Sequence, residues 1–128
     1  MQEFMLLIRN TAEHQAAWTS PQHQQFLEQC QRYIARLLAT GRLKSAQPLE
    51  RTGVMLSGTA GDWHEGAFPE TEEVIVGYYH ILATDLNDAV ALAKDNPEFA
   101  FGATARIEIR PIKTKEARTN FVYPAHAA

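Results

Sequence analysis

Cysteine is nearly missing from this chain. The single Cys30 excludes an intramolecular disulfide and makes a reducing cytoplasm the expected compartment. Basic clusters are missing too. Twelve Lys and Arg stand against fifteen Asp and Glu, for a net charge of −3, which excludes nucleic-acid binding through a basic face. Histidines His14, His23, His64, His80 and His126 are scattered without a pair at metal-ligand spacing, and His64-Glu65 is no His-Glu-x-x-His motif. No Gly-rich phosphate loop is present, and Ser57-Gly58 lacks the rest of a Gly-x-Ser-x-Gly elbow. No metal and no cofactor are therefore expected. Long apolar runs are absent as well. Phe4–Ile8 covers five residues and Val74–Leu82 nine, too short for a signal peptide or a membrane span, so no membrane partner is expected.

What is present fits one domain of 128 residues, 45% hydrophobic and 21% charged, long enough to fold without a metal or disulfide. Phe4-Met5-Leu6-Leu7-Ile8 reads as a central strand buried on both faces. Ser20-Pro21 is a helix start, with Ser20 as cap. Phe26, Cys30, Tyr33, Ile34, Leu37 and Leu38 then place an apolar stripe on a helix over 21–40, which Gly41 ends. Lys44–Glu50 is an edge strand interrupted by Pro48. Gly53–Ser57 and Trp63–Glu65 flank a turn-rich Gly58–Asp62 segment. A polar turn from Glu65 to Glu73 feeds the long apolar strand Val74–Leu82. Asp85 caps a second helix with Leu86, Ala89, Val90 and Ala93 inward, ended by Asn96-Pro97. In the last strand, Thr104–Ile112, Ala105, Ile107 and Ile109 take one face and Arg106, Glu108 and Arg110 the other. The domain is expected over 1–113, with 114–128 a loosely ordered tail.

This order predicts an α+β, ferredoxin-like β-α-β-β-α-β fold with an antiparallel sheet and both helices on one face. Several strands are apolar on both faces, so the far face needs cover, and a homodimer with sheet facing sheet is the economical answer.

Glu65-Gly66-Ala67-Phe68-Pro69-Glu70-Thr71-Glu72-Glu73 followed by Val74-Ile75-Val76-Gly77-Tyr78-Tyr79 resembles the YCII-related family, in its longer branch named for an Asp-Gly-Pro-Phe motif. Met5-Leu6-Leu7-Ile8, Gly41, Asp85-Leu86-Asn87-Asp88-Ala89 and Ile107-Glu108-Ile109-Arg110-Pro111 match in the same order, so the resemblance runs from about residue 3 to 112. It implies a dimeric α+β barrel: two ferredoxin-like subunits packed sheet on sheet, with a cleft between sheet and helices in each. Fold relatives include cofactor-free monooxygenases and haem-degrading enzymes, which shows how many chemistries one scaffold hosts. Glu65 and Ala67 depart from the motif's Asp and first Pro. Shorter members carry a His near the first helix paired with an acidic residue. His23 is near that helix here, but counting back from Gly41-Arg42 the matching position falls nearer Cys30, so the pair is not carried over.

Glu70 is the candidate general base, with a carboxyl pKa that burial would raise, or else it holds the turn through backbone hydrogen bonds. Tyr79 and His80 are its candidate acid–base partners. Tyr78, on the opposite face from Tyr79, is a candidate ligand contact, and each aromatic has packing as its plainer role. Arg9, Arg106 and Arg110 are candidate holders of an anionic ligand, or members of cross-strand ion pairs. Cys30 lies on the helix stripe as a small hydrophobe. Two functions stay open: a small anionic or aromatic molecule bound in a cleft of each subunit, with cofactor-free acid–base chemistry, or a non-catalytic dimerisation or regulatory module.

Overall fold

The computed structural model describes residues 1–68 and 73–123. The strands are β1 (Gln2–Thr11), β2 (Leu43–Pro48), β3 (Met55–Thr59), β4 (Asp62–Gly66), β5 (Glu73–Ala83) and β6 (Arg106–Pro111). The helices are α1 (Ser20–Ala39) and α2 (Leu86–Lys94), and a 3-10 turn spans Pro97–Ala100. Four strands form one antiparallel sheet in the order β2-β5-β1-β6, and β3 and β4 form a separate hairpin. Without that hairpin, the order and connectivity are ferredoxin-like.

β1 earns its central place by alternation. Phe4, Leu6, Ile8 and Asn10 are buried, while Met5, Leu7 and Arg9 between them are half-buried on the opposite face. Leu6 is paired with Tyr79 on one side and Ile109 on the other, so these three share the helix-covered face. Leu7 is paired with Tyr78 and Glu108, which share the outer face. The core joins Phe4, Leu6, Ile81 and Ala83 of the sheet to Tyr33 and Leu37 of α1 and Ala89 and Ala93 of α2. The register slips between Ile8 and Arg9: Ile8 is paired with Gly77, whereas Arg9 is paired with Ile75.

The helix ends follow local chemistry. Thr19, one residue ahead of the expected Ser20, caps α1, because the Gln22 side chain returns to the Thr19 N–H at 2.9 Å while Thr19 Oγ1 accepts from Gln22 N. Gly41 takes φ +70° beyond the C-terminus, and Arg42 N–H donates back to Leu37 O at 2.8 Å. Asp85 caps α2 by accepting from Asp88 N–H at 2.8 Å. Asp88 accepts in turn from Thr84 N–H and from Arg42, which hold its carboxyl below the usual carboxylate range.

Two expectations of burial are corrected. Leu38 and Leu86, assigned to inward stripes, are exposed. Tyr33 and Leu37 complete the α1 contact, and Ala89 and Ala93 bring α2 so close to the sheet that Leu86 lies beyond the packed face. The described part of the segment after β6 folds back on itself: Lys115 bridges to Val122, and Tyr123 N–H donates to Thr114 O at 3.0 Å. Leu6 is fully buried. Leu6→Ala should therefore cost ~2–5 kcal/mol in urea unfolding, the range for a large-to-small change in a packed core.

Candidate functional site

The clearest polar cluster lies on the helix face, at the end of the sheet where β1 stops. Asn10 is buried there, and its Oδ1 accepts from Thr104 Oγ1 at 2.7 Å and from Thr11 N–H at 2.8 Å. The chain then folds back in tight turns: His14 N–H donates to Thr11 O, and Trp18 N–H to Gln15 O. These turns aim the His14 ring inward, its Nδ1 3.0 Å from Thr11 O. From the other side, Asn96 follows α2 and caps the 3-10 turn by accepting from Glu98 N–H at 2.9 Å, with Pro97 at its first position. That cap presents the Glu98 carboxylate to the imidazole, with Nε2 and Oε2 3.8 Å apart and only 11% and 13% of the two side chains exposed.

Burial raises the Glu98 pKa, while His14 and a hydrogen bond from Asn10 pull against that rise. A carboxyl whose pKa is raised by burial, beside an imidazole, is suited to proton transfer. In the tautomer that satisfies both ring contacts, Nδ1–H donates to Thr11 O and Nε2 accepts from Gln15 Nε2 at 3.3 Å.

Deeper in, Tyr33 and Tyr79 meet edge to face with centroids 5.4 Å apart, and Tyr33 donates to Leu92 O at 2.8 Å. Burial pushes the Tyr33 hydroxyl up to about 12 and raises Tyr79 as well, Cys30, Tyr33 and Glu98 adding to the latter. Cys30 is pushed up to about 11 by burial and then by Glu98. Asn96 lies beside both hydroxyls, yet its buried Nδ2 makes no aligned hydrogen bond among the described residues. Toward solvent, Trp18 packs on His14, His23, Phe26 and Phe101, with centroids 5.0 to 6.2 Å apart. A groove of about 420 Å³ opens there, lined by Gln15, Trp18, Thr19, Ser20, His23 and Gln24.

The family-model comparison matches the YCII-related domain over residues 2–113. The chain belongs to the YCII-related family. No curated protein matches it.

In this YCII-related chain the expected site residues that lie among the described residues do not converge. Tyr79 faces the helices beside Cys30 and Glu98, but His80 faces the other way, its Nε2 donating to Glu3 Oε1 at 2.8 Å, with Lys44 Nζ 3.5 Å from the same oxygen. Adjacent residues of an extended strand cannot share a face, so only one of these two candidate partners of Glu70 faces the cleft. Glu70 lies outside the described residues. Tyr78, Arg9, Arg106 and Arg110 are all on the outer face. Arg9 Nε bonds Glu108 at 3.1 Å, Arg110 lies 3.6 Å from Glu108, and Arg106 lies 3.6 Å from Glu73. The arginines thus take the ion-pairing option, away from the cleft.

His14, Glu98, Asn10 and Asn96 were not legible as a site. The available signal was that the polar string Arg9–Gln15 directly follows a buried strand, and that Asn96-Pro97-Glu98 is a capping sequence after a helix facing that strand. Because the Cys30 thiol stays protonated well above neutrality, its alkylation by iodoacetamide at pH 8 should be at least about tenfold slower than that of a free thiol of ordinary pKa, recovering on unfolding in urea.

Proposed function

We propose that this YCII-related protein binds a small aromatic molecule at the Trp18 mouth of the cleft and moves a proton on it with His14 and Glu98, without a cofactor. The observation that carries the reading is the Glu98 carboxyl, taken out of water beside His14 at 3.8 Å, an arrangement with an electrostatic cost and no packing gain. Trp18, backed by the buried Phe26 and by Phe101, supplies an aromatic surface next to the pair. A ligand hydroxyl or acidic C–H that displaces Gln15 would deliver its proton to His14 Nε2. The imidazolium formed would be stabilised by the ionised Glu98 carboxylate beside it. The arginines on the outer face disfavour an anionic ligand, because none of them faces this groove.

One such site belongs to each protomer of a homodimer in this reading. Met5, Leu7, Tyr78 and Leu82 lie on a sheet face that no helix covers, between the Arg9–Glu108 and His80–Glu3 pairs. Burying that apolar strip against a second copy follows from the same patterning that buries the inner face. A dimerisation module without catalysis is the second reading. It is favoured by the closed inner end of the cleft, where Tyr33 is tied to Leu92 and both tyrosines keep their protons.

The tests separate these readings. Small phenols and aromatic hydroxy acids should raise the melting temperature of the wild type, and His14→Ala should abolish the rise. If no compound stabilises the wild type, the module reading takes its place. The Glu98 pKa is raised on folding, so the folded state holds more protons than the unfolded one just above the ordinary carboxylate range. Wild-type stability should therefore fall as pH rises through that window, and Glu98→Gln should remove the fall while matching the wild type below it. Light scattering should give about twice the 14.4 kDa chain mass.

A further inference from the structure

We infer that the β3–β4 hairpin is an intermolecular clasp that packs on the β6 edge of a second copy of this chain. The inference rests on the homodimer proposed above and adds a contact that sheet-to-sheet packing does not require.

The hairpin is a built arm. Gly58 takes φ +119°, and a Cβ there would stand 2.1 Å from Asp62 O, so the bend depends on glycine. Gly61 takes φ +86° in the turn. At the root, Leu49 N–H donates to Val76 O at 2.9 Å, and a Cβ on Gly53 would lie 3.0 Å from the Phe68 ring. Every residue of both strands is nonetheless exposed. Leu56 and Trp63 are 61% and 60% exposed, and the pairing of Leu56 with Glu65 and Gly58 with Trp63 puts both on one face. Val54 and Met55 add 58% and 57% exposure at the start of the arm. Two five-residue strands paired with each other are marginal alone in water, and a defined hairpin with a bare Leu–Trp face needs a surface to cover it.

The occupant is argued from charge and position. The arm carries Glu65 on the Leu56–Trp63 face and Asp62 beside the turn on the opposite face, with no Lys or Arg between Met55 and Gly66. The segment from Arg106 to Arg118 carries five basic residues and two acidic ones, and Arg106 and Arg110 have side chains 76% and 70% exposed. Phe121 and Val122, 57% and 63% exposed, are tied to that segment through the Lys115–Val122 bridge and offer an apolar seat. β2 and β6 are opposite edges of the sheet, and the arm leaves from the end of β2. A face-to-face dimer with its two-fold axis along the strands lays the β2 edge of one protomer over the β6 edge of its partner. Each acidic arm then meets the other protomer's basic edge, twice by symmetry.

The test is charge reversal in trans. One variant carries Asp62→Lys and Glu65→Lys, and the other carries Arg106→Glu and Arg110→Glu. All four side chains are exposed, and circular dichroism and melting temperature confirm that each variant folds. Sedimentation should show each variant alone dimerising about tenfold or more weakly than the wild type. An equimolar mixture should regain wild-type affinity, because a heterodimer holds one native contact and one doubly reversed contact. A wild-type dimer with variants that associate as tightly as the wild type, or a mixture that regains nothing, overturns the clasp and leaves the sheet-face dimer standing. A monomeric wild type overturns the dimer reading itself. Leu7→Arg, which places a charge on the outer sheet face and leaves the arm intact, should dissociate the dimer if that face is the interface.

Discussion

Everything in this molecule depends on the two-residue period of β1, bonded on both sides in the middle of the sheet. One set of its side chains, Phe4, Leu6, Ile8 and Asn10, faces the helices, and the other, Met5, Leu7 and Arg9, faces away. The pairing imposes the same division on β5 and β6. Tyr79 is thereby assigned to the cleft and Tyr78 and His80 to the outer face, and Ile107 and Ile109 are separated from Arg106, Glu108 and Arg110. Two chemically different compartments result from one alternating pattern: a polar cluster shielded by helices, and an amphipathic sheet surface laced with ion pairs.

The cleft compartment is organised by desolvation. Glu98 has His14 and Asn10 to compensate its burial, and it in turn helps to keep Cys30 and Tyr79 protonated. The capping of the 3-10 turn by Asn96 and the reverse turns after Thr11 converge at one end of the sheet and bring Glu98 and His14 together there. The outer compartment behaves differently. Its ion pairs remain partly exposed, with weak individual energies, and their effect is to fill the rim around Met5 and Leu7 with charge of both signs.

The architecture was legible in sequence because its signals are local and periodic. Ile107-Glu108-Ile109-Arg110 alternates, Phe26, Tyr33 and Leu37 recur at helical spacing, and Gly41 and Asp85 mark helix ends by known backbone chemistry. The site was not legible, because His14 and Glu98 are brought together by two turns rather than by a motif. Strand periodicity did indicate that Tyr78 and Tyr79 diverge, but not which of them meets α1. The exposure of Leu38 and Leu86 was also out of reach, since Tyr33 and Leu37 already fill the α1 contact and Ala89 and Ala93 set the face that α2 turns to the sheet.

The slip between Ile8 and Arg9 carries a consequence for the cleft. With strict alternation, Glu73 would fall on the same side as Tyr79. The surplus residue reverses the parity of the strand before it, so Val74 is opposite Asn10 and Glu73 meets Arg106 on the far surface. A single inserted residue therefore acts as a sorting device: it exports a second carboxyl from the compartment in which Glu98 is already buried.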